Sequence, residues 1–230
     1  MIGSKILVIA AHPDDEVLGC GGTLARYRLA GASIRIVFLG EGSTARFPHS
    51  EIDGVEALAA VEYRANSARE AADILGLDTP RFHDFPCCRF DTVPVIEIGK
   101  VIEAEIAEFK PDTVFTHTDV DVNIDHRITL QACLQATRPG ASNAVANLLS
   151  FEIQSSTEWR FIEQFKPNLF VDIDKTLQIK QDAMAAYDTE TKPYPFPRSS
   201  EGIKAHAMVR GMQAGVTHAE AFQVIRSIVS

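Results

Sequence analysis

The chain is organised around one stretch near its start, Lys5-Ile6-Leu7-Val8-Ile9-Ala10-Ala11-His12-Pro13-Asp14-Asp15-Glu16. The first half of this stretch is an apolar run with β-branched members, which predicts a buried parallel strand. Apolar side chains then recur at helical spacing, so we expect a helix to begin between residues 14 and 17. One imidazole and three carboxylates therefore lie where a strand ends and a helix begins, which is where ligands bind in open α/β sheets.

These polar side chains favour a metal site over a simple helix cap. A cap accounts for one or two of the carboxylates, but not for the imidazole of His12. A second motif, Asp121-Val122-Asn123-Ile124-Asp125-His126-Arg127, follows the apolar strand Thr113-Val114-Phe115-Thr116-His117. If the two strands are parallel neighbours, His126 approaches His12 and the adjacent acids. Two imidazoles and one carboxylate are a recurring ligand set for hydrolytic zinc, and spacing alone leaves open whether Asp14 or Asp15 binds the metal.

Both motifs resemble those of the LmbE-like, or PIG-L, superfamily of zinc-dependent N-deacetylases. The resemblance spans nearly the whole chain, and it also includes Gly21-Gly22, Gly40-Glu41-Gly42 and a C-terminal stretch from Arg210-Gly211 to Phe222. It implies a Rossmann-like hydrolase that cleaves an N-acetyl amide with a bound metal.

The resemblance also assigns roles within the two motifs. It implies that His12, Asp15 and His126 bind the metal, which is Zn²⁺ or another divalent ion such as Fe²⁺. It implies that Asp14 is the general base, because a free carboxylate beside the metal can take a proton from water and pass it to the leaving amine. Asp125 is expected to orient a neighbouring imidazole.

One position departs from the superfamily pattern. Many members carry a histidine where this chain has Asn123, and that histidine stabilises the oxyanion. Asn123 can still donate a neutral hydrogen bond, but it cannot act as a charged acid. His117, at the end of the fourth predicted strand, is the alternative donor, and we favour His117 because a protonated imidazole can also help the amine to leave.

Substrate contacts are expected from three further residues. Arg64 and Asp91 match superfamily positions that bind substrate hydroxyls, and phosphate is a second ligand for the arginine. Glu41 follows a further predicted strand, residues 34–39, at the same edge of the sheet. Arg198 and His218 lie in predicted loops that could close over the site, and for both we expect a surface position.

The order of predicted elements indicates an α/β protein with a single-domain Rossmann-like architecture. Strands alternate with crossover helices, which predicts a mainly parallel sheet with helices on both faces, built from residues 1–230 as one domain. The final 30 residues are predicted to form one or two helices. Gly19-Cys20-Gly21-Gly22 lacks the third glycine of a dinucleotide-binding turn, so we interpret these glycines as close helix packing.

Composition excludes several classes of partner. The chain has 230 residues and a net charge of −9 with no basic run, which argues against nucleic acid. It has no run of 18 apolar residues, so we expect no membrane span, and the residues before the first strand predict no signal peptide. The four cysteines form no Cys-x-x-Cys pair, which favours reduced thiols and a cytoplasmic location.

The leading functional prediction is a zinc-dependent hydrolase that removes an N-acetyl group from a small-molecule amino sugar or sugar conjugate. Its products would be acetate and a free amine. Two alternatives remain open, an amidase for another N-acyl conjugate and a non-catalytic protein that binds nucleotide sugars. Superfamily members are often oligomeric, so the resemblance implies that a homo-oligomer can form.

Overall fold

The computed structural model describes residues 3–140 and 144–229, which form one layered α/β structure. The strands within these residues are β1 (Lys5–Ala10), β2 (Ser33–Gly40), β3 (Arg81–Phe85), β4 (Thr113–His117), β5 (Asn147–Phe151), β6 (Leu169–Asp172) and β7 (Ala219–Ser227). The helices are α1 (Asp15–Leu29), α2 (Val55–Ile74), α3 (Val95–Phe109), α4 (Ile124–Ala136), α5 (Leu177–Ala185) and α6 (Ser200–Ala214).

The described strands form one seven-stranded sheet in the order β3-β2-β1-β4-β5-β7-β6. The first five strands are parallel, whereas β7 runs antiparallel to both of its neighbours, β5 and β6. The mainly parallel α/β prediction is therefore confirmed. Strand β1 lies between β2 on one side and β4 on the other, so the order of the strands reverses at β1. In parallel sheets of this kind, such a reversal leaves a crevice beyond the carboxyl ends of the two strands, here β1 and β4.

Two apolar cores cover the two faces of the sheet. Alternate residues of β1 point to opposite faces, with Ile6 and Val8 in one core and Leu7 and Ile9 in the other. Helices α1, α2, α5 and α6 contribute to the first core, and α3 and α4 contribute to the second. Helices on both faces are what a buried parallel sheet requires, because neither side of its strands carries polar side chains for solvent.

The glycines of α1 allow the helix to pack closely on the sheet. A side chain at Gly19 would collide with the ring of Phe151, and one at Gly22 would collide with Ile173. Cys20, between them, is buried with its sulfur directed to the backbone carbonyl of Glu16. These contacts agree with the interpretation that the glycines allow close packing of the helix.

The prediction for the C-terminal segment is partly wrong. The chain forms α6, ends it at Gly215 in a left-handed conformation, and continues as the strand β7 instead of a second helix. Strand pairing decides the outcome, because β7 fills the gap between β5 and β6 and buries Phe222 against Phe115, with ring centroids 4.9 Å apart. Among the described residues, no helix is long and apolar enough to cross a membrane.

Candidate metal centre

Three side chains from the two motifs meet at the crevice between β1 and β4. His12 follows β1, Asp15 begins α1, and His126 lies in the first turn of α4. Each offers a ligand atom within 4.8 Å of the other two, and each residue is at most 5 % exposed. Asp15 is central, because its Oδ2 lies 3.7 Å from Nδ1 of His12 and its Oδ1 lies 3.4 Å from Nε2 of His126.

The outer nitrogen of each imidazole faces a carboxylate. Nε2 of His12 lies 2.9 Å from Oδ2 of Asp125, and Nδ1 of His126 lies 3.1 Å from Oδ2 of Asp121. The hydrogen bond to Asp125 fixes the orientation and the tautomer of His12, and the ionic contact with Asp121 favours a proton on Nδ1 of His126. The remaining nitrogens, Nδ1 of His12 and Nε2 of His126, point towards Asp15. The donor set of two imidazoles and one carboxylate therefore fits a divalent metal ion such as Zn²⁺.

The charges of the centre agree with this fit. Burial raises the pKa of the Asp15 carboxyl, but the three neighbouring imidazoles of His126, His117 and His12 bring it well below its usual range. Burial lowers the pKa of His126, but the carboxylates of Asp15 and Asp121 raise it to about 10. A cation is thus stabilised at the position between these groups, and a metal ion would take the place of the proton, because imidazole binds metals in its neutral form.

Asp14, next to the ligand set, has an unusual backbone conformation, and its side chain contacts two arginines. Its φ of 110° is sparsely populated for residues other than glycine. Its Oδ2 accepts hydrogen bonds from Arg64 at 2.9 Å and from Arg198 at 2.7 Å. Burial raises the pKa of Asp14 to about 6, and the two guanidinium groups limit that rise. Both arginines contact Oδ2, which leaves Oδ1 as the oxygen that can exchange a proton.

Glu16 turns away from the metal centre, so the three adjacent carboxylates separate into different environments. Its Oε2 accepts the backbone N–H of Asp14 at 3.0 Å, and its Oε1 accepts the hydroxyl of Tyr187 at 2.6 Å. Burial raises the pKa of Glu16 to about 8. This residue therefore helps to hold the strained backbone of Asp14 and relieves part of the repulsion within the motif.

Two of the three residues that are predicted to bind substrate form hydrogen bonds within the chain itself. Arg64 is only 5 % exposed, and its guanidinium donates to the carbonyls of Pro13 and Gly42 as well as to Asp14. Glu41 accepts backbone N–H groups from Ser43, Thr44 and Cys87 and the hydroxyl of Thr44. This geometry does not favour direct substrate binding by either residue, because their polar atoms are already paired.

The third predicted contact, Asp91, lies in an exposed turn after Phe90, whose backbone N–H donates to Asp125. Asp91 stays a candidate for binding sugar hydroxyls. A groove of about 430 Å³ is lined by Pro13 and Glu41 and continues along α2 and β3 past Arg69 and Phe82. None of the three candidate metal ligands, His12, Asp15 and His126, lines this groove, so the groove lies beside the metal centre and not over it.

The two candidate oxyanion donors occupy very different positions. His117 is fully buried, its ring stacks on His126 at 4.0 Å, and its Nε2 accepts the backbone N–H of Ala11 at 2.9 Å. Burial lowers the pKa of His117 to about 3. This geometry disagrees with our preference for a protonated His117, because the nitrogen that accepts the hydrogen bond carries no proton. Asn123 is half-buried at the start of α4, where its Oδ1 accepts the N–H of Asp125.

Sequence reasoning missed two residues that contact the centre. The motif pattern assigns no role to Asp121, which is fully buried and accepts hydrogen bonds from the hydroxyls of Ser156 and Thr157. Its position at the start of the polar motif after β4 was the available signal. Arg198 was expected on the surface, and that expectation is wrong, because its guanidinium contacts Asp14. His218 lies away from the centre, against Asp174.

Comparisons with known proteins find relatives that are named as deacetylases. The family model PIG-L, described as GlcNAc-PI de-N-acetylase, matches residues 7–137. The diacetylchitobiose deacetylase of Thermococcus kodakarensis is 25 % identical over 97 % of this chain and 84 % of its own length. A 1D-myo-inositol 2-acetamido-2-deoxy-alpha-D-glucopyranoside deacetylase of Thermobifida fusca is 29 % identical over 59 % of this chain, and the match spans 56 % of that relative.

Solved structures share the fold. The N,N'-diacetylchitobiose deacetylase from Pyrococcus horikoshii superimposes with a TM-score of 0.76 at 21 % identity, covering 96 % of this chain and 84 % of that one. The 4-carboxy-2-hydroxymuconate hydratase GalB from Pseudomonas putida KT2440 superimposes with a TM-score of 0.71 at 21 % identity, covering 98 % of both chains. The fold is thus shared by proteins with different named activities, and function has to be argued from the site.

Proposed function

Because the chain belongs to the PIG-L family, we propose that it is a metal-dependent N-deacetylase. Its substrate is an N-acetylated amino sugar or a conjugate of one, and its products are acetate and a free amine. The observation that carries the proposal is the convergence of His12, Asp15 and His126 on one buried point, with the carboxylate of Asp14 directly beside them. A hydrolytic metal site needs such a ligand set together with a nearby base.

We propose Zn²⁺ as the metal, held by His12, Asp15 and His126. When bound, a divalent ion at this position supplies a Lewis acid that polarises the amide carbonyl and lowers the pKa of water. Two imidazoles with one carboxylate suit zinc, and Fe²⁺ remains the alternative among the metals that accept the same donors. Asp125 and Asp121 hold the two imidazoles in the orientation that the ligand set requires.

The proton transfers are assigned to Asp14. Its carboxylate accepts a proton from the attacking water and later gives it to the leaving amine, so one residue serves as base and then as acid. Arg64 and Arg198 hold the carboxylate in place through Oδ2, which fixes the direction of Oδ1. Asn123 supplies the donor for the developing oxyanion through its amide group. Asp91 contacts hydroxyl groups of the sugar from its exposed turn.

Two broader expectations accompany this proposal. We propose a cytoplasmic location, which is supported by four free cysteines within the described residues, two of them adjacent in sequence. Self-association of the chain also remains a proposal that rests on the family resemblance. Sedimentation of the purified protein and fractionation of cells that express it would test these two points.

The direct test is acetate release from a panel of N-acetyl sugars, their disaccharides and their nucleotide conjugates. The metal content of the protein is measured in the same preparation. We expect equal amounts of acetate and free amine, and we expect His126→Ala to lose both zinc and turnover. His218→Ala, which alters a histidine that contacts Asp174 away from the centre, is the matched control. Release of a different acid would favour another amidase, and sugar binding without turnover by zinc-loaded protein would favour the non-catalytic alternative.

A further inference from the structure

Two adjacent cysteines lie beside the metal centre and take no part in the proposed mechanism. Cys87 is buried and Cys88 is exposed, in the loop that follows β3, and their sulfur atoms are 3.9 Å apart. The chain adopts a left-handed conformation at Cys88, with φ of 56°. The backbone N–H of Cys88 donates to Oδ2 of Asp125 at 2.5 Å, so this loop contacts the carboxylate that orients His12.

A second set of metal-binding side chains is present at this position. His12, Cys87 and Asp125 each offer a ligand atom within 4.8 Å of the other two, and all three are buried. Asp125 contacts Nε2 of His12, whereas Asp15 is nearest to Nδ1. The second donor set therefore lies on the opposite edge of the His12 ring from the cluster of His12, Asp15 and His126.

The chemistry of this set differs from that of the first. A thiolate is a soft ligand that selects thiophilic metals, and Cys88 adds a second sulfur at the exposed side. We propose that Cys87, Asp125 and His12, with Cys88 beside them, form a second site for a thiophilic divalent ion such as Cd²⁺ or zinc in excess. On binding, the thiol of Cys87 and the Nε2–H of His12 each release a proton to solvent, and a sulfur–metal bond and a nitrogen–metal bond form with no change in oxidation state. His12 then bridges the two ions as an imidazolate, with Nδ1 on the first metal and Nε2 on the second.

Occupation of this site inhibits the enzyme. A metal ion bound to Asp125 competes with the contact between Asp125 and His12, and that contact sets the orientation of a ligand of the catalytic metal. The inhibition rests on the function proposed above, whereas the binding of the second ion does not. The two parts can therefore be measured separately.

The test is a titration of the zinc-loaded protein with Cd²⁺ in the presence of a phosphine reductant. Three quantities are followed: the ultraviolet sulfur-to-cadmium charge-transfer absorption, the zinc and cadmium content after desalting, and acetate release. We expect the absorption to saturate with cadmium bound in addition to the retained zinc, and acetate release to fall over the same range of concentration. Absorption and metal content remain decisive if the protein proves to have no deacetylase activity.

Cys87→Ser is the decisive variant, and Cys133→Ser is its matched control. Cys133 is a buried thiol on α4 whose sulfur contacts Thr116, away from the proposed site. We expect Cys87→Ser to retain basal acetate release, to lose the absorption, and to need a cadmium concentration higher by roughly tenfold or more for half-inhibition. The control should respond as wild type does. The proposal is overturned if cadmium replaces the zinc, or if Cys87→Ser keeps the wild-type absorption and sensitivity.

Discussion

Nη1 of Arg198 lies 2.7 Å from Oδ2 of Asp14, although the two residues are 184 positions apart in the chain. The same arginine donates through Nε to the hydroxyl of Ser155 at 2.6 Å. It thereby connects the segment before α6 and the loop after β5 to the predicted general base. The arginine shares Asp14 with Arg64, which approaches from α2.

Replacement of Arg198 by methionine should lower kcat/KM by about 100-fold, because a displaced catalytic group loses its alignment with the reacting atoms. The pH profile should change as well. Loss of a positive charge beside the buried Asp14 raises its pKa, so the acidic limb of kcat/KM should move to higher pH. Zinc content should be retained. Arg28→Met, which alters an exposed arginine bound to the carbonyl of Gly76, is the control. An unchanged pH profile in Arg198→Met would show that Arg198 does not act on Asp14.

Asp14→Asn should keep zinc and the fold and lose turnover by about 100- to 10,000-fold, because an amide cannot accept the proton from water. Asparagine suits this position, since it is one of the residues that tolerate positive φ, and Asp14 has φ of 110°. Zinc analysis, thermal unfolding and acetate release on the same sample separate the effects. A rate near that of the wild type would require a different base.

The arrangement of strands and the meeting of the two motifs could be predicted from local sequence. The apolar runs of β1 and β4 indicate two buried strands, which are parallel neighbours in the sheet. His12 and His126 follow the carboxyl ends of these strands in the sequence. The polar residues therefore had to come to the same edge of the sheet. The direction in which an individual side chain points cannot be predicted in this way. Arg64 and Glu41 lie near the site, but their polar atoms form hydrogen bonds with the chain's own loops.

Contacts that depend on distant loops could not be predicted. Asp121 is held by Ser156 and Thr157, and this requires the loop after β5 to fold back over the loop after β4. The strand β7 likewise depends on the space between β5 and β6, because pairing overrides the helical appearance of a short segment. Gly215, a left-handed helix end, was the one local indication that α6 stops there.

Asp121→Asn should reduce zinc affinity by roughly 10- to 100-fold, as is typical when the partner of a metal-binding imidazole is removed. The amide oxygen can still accept from Ser156 or Thr157, but an amide N–H facing Nδ1 of His126 would oppose the N–H of that ring. The affinity is measured by competition with a chromophoric chelator. Asp119→Asn, in the exposed part of the same loop, is the control. Equal affinities for the two variants would exclude a role of Asp121 in positioning His126.

The pH dependence of stability should depend on Glu152, which lies away from the metal centre. Burial raises the pKa of Glu152, but His206 and Arg210 lower it below its usual value of 4.5. The resulting stabilisation is present above that value and is lost as the pH falls through the lowered pKa. Glu152→Gln should therefore cost about 1.5–3 kcal/mol near neutral pH, the range for hydrogen bonds to charged groups.

The difference between Glu152→Gln and the wild type should shrink as the solution is acidified. Denaturant unfolding at neutral pH and below the usual pKa of a glutamic acid measures both free energies of unfolding. Glu62→Gln, on the exposed side of α2, should leave the stability curve unchanged. A constant difference across the acidic range would show that Glu152 is not ionised in the folded protein.

The last prediction concerns the oxyanion, where the chain departs from the family pattern. Asn123 caps α4 by accepting the N–H of Asp125, so an alanine there would remove a cap and a donor together. Asn123→Asp separates the two roles, because aspartate caps a helix as well as asparagine does but has no amide N–H to donate. We expect this variant to retain zinc and stability and to lose about 100- to 1000-fold in turnover, the usual effect of removing an oxyanion donor. Asn123→His, which introduces the family residue, should retain activity.

His117→Ala should mainly lower stability, since His117 is fully buried and binds the backbone N–H of Ala11. If Asn123→Asp turned over within a few-fold of the wild type while stable His117 variants did not, the oxyanion donor would be His117 after all, and the buried ring would have to reorient during the reaction.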